Sequence, residues 1–204
     1  MYIPEHYRNE NRQEIDAFLK ANAFGILVSQ NEGKLLATHT PLELETNEEG
    51  KTVLHGHVSK GNTQWKSFSN GSEVLAIFTG PHAYVSSSWY DFEEVPTWNY
   101  IAIHVYGTVK ILEGDAVISL LKKLVDKYEA ASENPVRIEN LSKKTMMQVR
   151  GIVAFEIEIT DIQATKKMSQ SHDAKNYDSV ISHLEKTGNA DAIAVAAEMK
   201  KCPR

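Results

Sequence analysis

The residues best suited to chemistry lie in the polar turn Ser59-Lys60-Gly61-Asn62, between a predicted strand and a predicted short helix. The start of a helix offers free backbone N–H groups and a partial positive charge. With a lysine, a hydroxyl and an amide beside it, such a turn could hold a phosphate. The local pattern alone favours the alternative interpretation, an ordinary solvent-exposed turn.

The turn leads towards an unusually aromatic stretch. An apolar strand over residues 74–78 is predicted to break at Gly80-Pro81, and a short strand follows over 83–85. The loop after it carries Trp89-Tyr90 at one end and Trp98-Asn99-Tyr100 at the other, and an alternating strand leaves it at Ile101. These rings could line a pocket for a flat ligand or simply cap the core of a barrel. A phosphate anchor near an aromatic slot would suit FMN.

Other chemistries have weaker support. Among eight histidines, His55 and His57 lie on one strand face and His39 could join them as metal ligands. A helical His-x-x-x-His and a cysteine cluster are both missing, so we expect no metal site. Residues 86–88 are three serines without a nucleophile elbow, and Cys202 is in the tail. We therefore assign no catalytic residue.

Composition places the chain in an ordinary class. It has 204 residues, a net charge of −5 and one cysteine. This charge gives no global attraction for nucleic acid, although a local basic patch is compatible with it. The sequence lacks a secretory leader and an apolar run of membrane-spanning length. We predict a cytoplasmic protein that does not enter a membrane.

The periodicity predicts mainly strands with peripheral helices, an α+β protein built on an antiparallel barrel. Asn11 is predicted to cap the first helix, and Pro41 to interrupt the second strand. The predicted strands cover residues 24–29, 35–44, 52–58, 74–78, 83–85, 101–112 and 152–162, and the longer helices cover 115–128, 141–149, 177–186 and 191–199.

Several strings resemble the PaiB-type family, the FMN-binding negative transcriptional regulators. They run through nearly the whole chain, and the two strongest are long and unusual. The matching residues are Ala37-Thr38-His39-Thr40-Pro41-Leu42, His55-Gly56-His57-Val58, Asn62 with Gln64-Trp65, Gly80-Pro81-His82-Ala83-Tyr84-Val85-Ser86, Ser88-Trp89-Tyr90, Val95-Pro96-Thr97-Trp98-Asn99-Tyr100 and Lys167-Met168-Ser169-Gln170.

The resemblance implies an FMN-binding split β-barrel over residues 1–168, a C-terminal helical extension over 169–204, and a homodimer with flavin at its interface. It implies repression of protease and degradative enzyme production and of sporulation, with DNA contacted directly or through another regulator. Where we expect the family to have an arginine, Lys60 keeps the charge but lacks the planar fork. Another departure is Ser171, where we expect asparagine.

The predicted cofactor site has three parts. The FMN phosphate is expected to contact Ser59, Lys60 and Asn62, whereas the ribityl chain or ring contacts Thr38, His39 and His57. The partner subunit is expected to supply Thr97, Trp98 and Asn99. The alternative function is a flavin-dependent oxidoreductase or a haem-handling enzyme of the same fold, although no acid–base pair in the sequence names a substrate.

Overall fold

The computed structural model describes residues 1–68 and 71–202. Short 3₁₀ turns connect several of its elements. The strands are β1 (Arg8–Asn9), β2 (Phe24–Asn31), β3 (Lys34–Thr46), β4 (Thr52–Ser59), β5 (Ser72–Val85), β6 (Thr97–Leu112) and β7 (Ile152–Lys167). The α-helices are α1 (Arg12–Ala21), α2 (Asp115–Glu129), α3 (Lys143–Met146), α4 (Ala174–Lys186) and α5 (Ala190–Lys201).

The seven strands form one sheet in the order β1-β7-β4-β3-β2-β5-β6, and a further pairing of β6 with β7 closes six of them into a ring. The registered ladders are antiparallel, as in Leu42 opposite Gly56 and Gly56 opposite Phe155. Where β6 approaches β7, Gly107 allows close contact between the two strands, because a Cβ there would collide with the backbone carbonyl of Glu158. The predicted mainly antiparallel barrel with peripheral helices is confirmed.

Two predicted breaks in strands were wrong. Pro41 lies inside β3, opposite Phe24 at the start of β2, and the ladder to β4 begins at the next residue, Leu42. The missing N–H of proline is tolerated there because one ladder ends where the other begins. Likewise β5 runs on through Gly80-Pro81. Local turn signals were overridden by pairing with distant strands.

Two further boundaries differ from the predictions. Strand β6 begins at Thr97, so Trp98, Asn99 and Tyr100 belong to the strand and not to the loop before it. The helix predicted over 141–149 is the single turn α3 followed by a 3₁₀ segment, Met147–Gly151. Asn11 does cap α1, because its Oδ1 accepts from the backbone N–H groups of Gln13 and Glu14.

The chain divides into two compact units, each discontinuous in sequence. We call Met1–Ile15, Phe78–His104 and Gln163–Arg204 the first unit, and Asp16–Ile77 with Val105–Ile162 the second unit. Fully buried Leu184 and Met199 lie in the core of the first unit, and fully buried Leu54 and Phe155 in that of the second. The predicted boundary at residue 168 stays a prediction. Over the described residues, no helix has the length and apolarity to cross a membrane.

Candidate functional site

The second unit contains a polar corner where β4 ends, which we call the Lys60 corner: Thr38, Ser59, Lys60, Asn62 and Gln64. The Lys60 N–H donates to the carbonyl of Gly151 at 2.8 Å, and the Asn62 N–H donates to that of Ser59 at 2.9 Å. The Asn62 side chain donates to Thr38 Oγ1 at 2.7 Å. These bonds fix the turn against β3 and against Gly151, the residue that precedes β7.

Gln64 is the buried hub of this corner, with 2% of its surface exposed. Its Nε2 donates to the Leu27 carbonyl at 2.9 Å, to Ser29 Oγ at 3.2 Å and to the Leu36 carbonyl at 3.3 Å. Its Oε1 accepts a hydrogen bond from the hydroxyl of Thr38. The side chain thereby ties the corner to β2 and β3, as a buried polar group requires.

The donors left over in the corner are side chains. Within residues 1–68 and 71–202 the ammonium of Lys60 has neither a hydrogen-bond acceptor nor an ion-pair partner. Ser59 Oγ accepts from the Gly61 N–H at 3.2 Å, so its own proton can still be donated. Both groups are exposed. A charged ammonium and a free hydroxyl on one turn can bind a phosphate.

The predicted helix start lies at Thr63, directly after Asn62, and its contribution to phosphate binding stays a prediction. The helix is a five-residue 3₁₀ segment, Thr63–Ser67, and the Gln64 N–H is already taken by Asn62 Oδ1 at 2.9 Å. The indole N–H of Trp65 donates to the Lys60 carbonyl at 3.0 Å and braces the turn. The Lys60 ammonium and the Ser59 hydroxyl are therefore the groups of this corner that could bind an anion.

The two predicted histidines lie on the other face of the sheet from Thr38. A Cβ at Gly56 would meet the Leu42 side chain at 2.8 Å, so Gly56 faces inward with Leu42, and its neighbour His57 faces outward. There His57 lines a small cavity below α2 with Leu120 and Lys127. Burial lowers the pKa of His57, and its Nδ1 is buried with no partner among the described residues.

His39 is exposed and also points outward, with its ring 6.3 Å from that of Phe24. His55 bonds to Glu156 through Nε2 at 3.0 Å. In the part of the chain that the structure describes, no three histidine, cysteine or acidic side chains are grouped to hold a metal ion. The structure thus brings Thr38 and Asn62 into direct contact, but places His39 and His57 elsewhere on the second unit.

The other three predicted residues lie in the first unit and have different surroundings. Asn99 is fully buried and exchanges hydrogen bonds with Ser169 at 3.0 and 3.2 Å. Thr97 accepts a hydrogen bond from Lys167. Trp98 is 53% exposed. Their contact with a flavin stays a prediction, and Asn99 already has internal partners.

Sequence reasoning missed two residues that contact predicted site residues: Gln64, which bonds to Thr38, and Lys167, which bonds to Thr97. Both lie in strings that carry the family resemblance, but nothing in their spacing indicates which polar side chain turns inward. Trp98, which was predicted to reach the flavin from the partner subunit, lies with His82 and Tyr84, and its ring centroid is 6.0 Å from that of each.

Comparison with solved structures first defines the fold class of the chain. The chain superposes on the FAD and heme binding protein from Mycobacterium smegmatis with a TM-score of 0.63 and 17% identity, covering 84% of this chain and 78% of that one. For the flavocytochrome Anf3 from Azotobacter vinelandii the TM-score is 0.62 at 13% identity, with coverage of 87% and 78%. Both likenesses lie below 25% identity and show that the chain shares the fold of these two proteins.

The sequence comparison then gives the family. Residues 1–161 match the family described as "Putative FMN-binding domain". The chain is 41% identical over 201 residues to "Protease synthase and sporulation protein PAI 2" of Bacillus subtilis (strain 168), covering 98% of this chain and 97% of that protein. The chain belongs to this FMN-binding domain family, as the sequence strings predicted.

Proposed function

We propose that the protein binds FMN, with the phosphate at the Lys60 corner. The observation that carries this proposal is that the Lys60 ammonium, free among the described residues, lies on the same turn as the Ser59 hydroxyl. Asn62 and Gln64 fix this turn. The residues therefore fit a phosphorylated ligand. Bound FMN would supply a redox-active ring, and the chain's own side chains would bind its phosphate and position it.

The retention of FMN tests this assignment. Lys60→Ala removes one charge-assisted contact, typically worth about 1.5–3 kcal/mol, so we expect FMN to dissociate at least about tenfold more readily. The matched control is Lys66→Ala, which removes another exposed lysine, from the adjacent 3₁₀ segment. Equal FMN affinity in the two variants, measured by equilibrium dialysis, would remove the phosphate assignment.

As the biological role, we propose a negative transcriptional regulator acting in the cytoplasm to limit protease production and sporulation. The support is the name of the 41% identical relative and the match along nearly all of both chains. The net charge of −5 favours action through another regulator over broad contact with DNA.

The role is tested in Bacillus subtilis lacking that relative. Expression of this chain should restore the extracellular protease level of the parent strain, and Lys60→Ala should restore it less well than Lys66→Ala. A mobility shift at about 150 mM salt tests direct action, because sequence-independent charge contacts weaken as salt rises. Failure to restore the protease level would contradict the regulatory role but leave the FMN assignment standing.

We further propose a homodimer formed through the outer face of β2 and β3. This face exposes Phe24 at 67% and Leu35 at 70%, and between them Val28 pairs with Ala37. Exposed apolar patches of this kind mark interfaces. Phe24→Asp with Leu35→Asp should halve the mass in solution, whereas Met147→Asp, at another exposed apolar residue, should not.

The alternative function is a flavin-dependent oxidoreductase or a haem-handling enzyme. It is favoured by the buried Nδ1 of His57, which lacks a partner in the described part of the chain, and by the fold shared with a flavocytochrome. Oxidation of NAD(P)H by the FMN-loaded protein with varied acceptors, lost in His57→Gln, would support it. No oxidation by the loaded protein would count against it.

A further inference from the structure

Lys167, in the first unit, has no counter-charge among the residues that the structure describes. Lys167 ends β7, its ammonium donates to Thr97 Oγ1, and it lies 5.6 Å from the centroid of the Tyr7 ring. These are its interactions within the described chain, and neither partner is a carboxylate. The preceding residue, Lys166, differs sharply, since it pairs with Glu14 at 2.6 Å and Glu198 at 3.2 Å.

The environment of Lys167 is unfavourable for an isolated cation. The side chain is half-buried, and burial lowers the pKa of the Lys167 ammonium, with no nearby carboxylate to offset the effect. Desolvated cations in folded proteins usually have a partner. An anion arriving from solvent would restore that partner and favour the charged form.

Hydrogen bonds fix the turn that follows Lys167 in an uncommon backbone conformation. Ser169 adopts a positive φ of 56°, which is uncommon for a residue other than glycine. It is held there by Asn99 on one side, and by the Gln170 side chain, which accepts from the Met168 N–H at 2.6 Å and donates to the Lys166 carbonyl at 2.7 Å. Strain retained by such supports concentrates at functional sites.

We propose that Lys167 is the anion-binding group of a second ligand site, which takes a small aromatic carboxylate. Two of the three ammonium protons are free for a carboxylate, and the Thr97 hydroxyl, which accepts from Lys167, can donate its own proton to the same group. The Tyr7 ring, whose centroid is 3.9 Å from that of His6, offers an aromatic surface beside it. This inference does not depend on the binding of FMN phosphate at the Lys60 corner. Because Thr97 is also a predicted flavin contact, competition between benzoate and FMN distinguishes the two sites.

The test is a titration of the ¹⁵N-labelled full chain with sodium benzoate, followed by NMR, with sodium chloride at equal ionic strength as the salt control. We expect saturable shifts of the Thr97 and Lys167 amides. Lys167→Met should raise the dissociation constant at least about tenfold, the loss of about 1.4 kcal/mol. Lys167→Arg should retain binding, and so should Lys175→Met, at an exposed lysine of the same unit.

Three results would overturn the proposal. The first is the absence of a saturable shift in the unmodified protein, which decides the matter even if Lys167→Met fails to fold. Another is tighter binding of inorganic phosphate than of benzoate, which would exclude an aromatic carboxylate as the ligand class. The third is displacement of benzoate by FMN, which would assign Lys167 to the flavin site instead.

Discussion

Two lysines of the molecule have opposite surroundings, and each is supported by a buried amide. Lys60 is exposed on a turn held by Gln64, whereas Lys167 is half-buried at a turn where Ser169 bonds to Asn99. An exposed cation such as Lys60 has little effect on the free energy of unfolding, and its charge contributes only when an anion binds. A half-buried cation without a carboxylate is unfavourable, so its support must come from the neighbouring structure. Substitutions of the two buried amides, Gln64 and Asn99, therefore test this comparison.

The largest effect is expected at Gln64. In Gln64→Ala the carbonyls of Leu27 and Leu36 lose a donor in a buried setting, and Thr38 loses its acceptor. Since unsatisfied buried groups cost about 1–3 kcal/mol each and partly relax, we expect a loss of about 2–4 kcal/mol in the free energy of unfolding. Urea denaturation measures it, with Gln30→Ala, an exposed glutamine of β2, as the control. A loss no larger than in the control would mean that Gln64 does not hold the corner.

A smaller effect is expected at Asn99. Asn99→Ala removes two hydrogen bonds to Ser169 and a weak one to the sulfur of Met199, so the loss should be about 1–3 kcal/mol. Without that restraint Ser169 should relax from its positive φ, and the signals of Lys167 should broaden or shift in NMR spectra. If the Lys167 signals are unchanged in a destabilised Asn99→Ala protein, the amide stabilises the core without positioning the lysine.

The smallest effect is a dependence of stability on pH. Burial lowers the pKa of His57 in the folded protein from its ordinary value of 6.5, so below that pH the unfolded chain binds more protons than the folded one. Stability is then present above pH 6.5 and is lost as the pH falls towards the folded pKa. Urea unfolding at a series of pH values should show a shallower decline in His57→Gln than in the exposed-histidine control His82→Gln. Identical slopes would show that His57 is not the group responsible.

The barrel was predictable because its signal is periodic. Alternation in β6 and β7 places Ile103 and Ile157 inside, and both are buried. The errors at Pro41 and Gly80-Pro81 arose because local turn chemistry was given precedence over pairing that depends on distant strands. The polar turn at Lys60 was also predictable, since its residues are adjacent in sequence.

The supports of the two lysines could not be predicted in the same way. Gln64 and Asn99 are buried against partners that lie far away along the chain. No spacing rule in the sequence indicates those partners. The environment of Lys167 depends on Tyr7 and Thr97, which are 160 and 70 residues away in the sequence. Over residues 1–68 and 71–202 Lys167 has no carboxylate partner, and only the folded chain shows this.

The most direct measurement of the central claim compares FMN with riboflavin, which has the same ring and ribityl chain but no phosphate. If Lys60 holds the phosphate, the unmodified protein should prefer FMN, and Lys60→Ala should reduce that preference at least about tenfold while leaving riboflavin binding nearly unchanged. Lys66→Ala should keep the full preference. A Lys60→Ala protein that prefers FMN as strongly as the unmodified one would contradict the account.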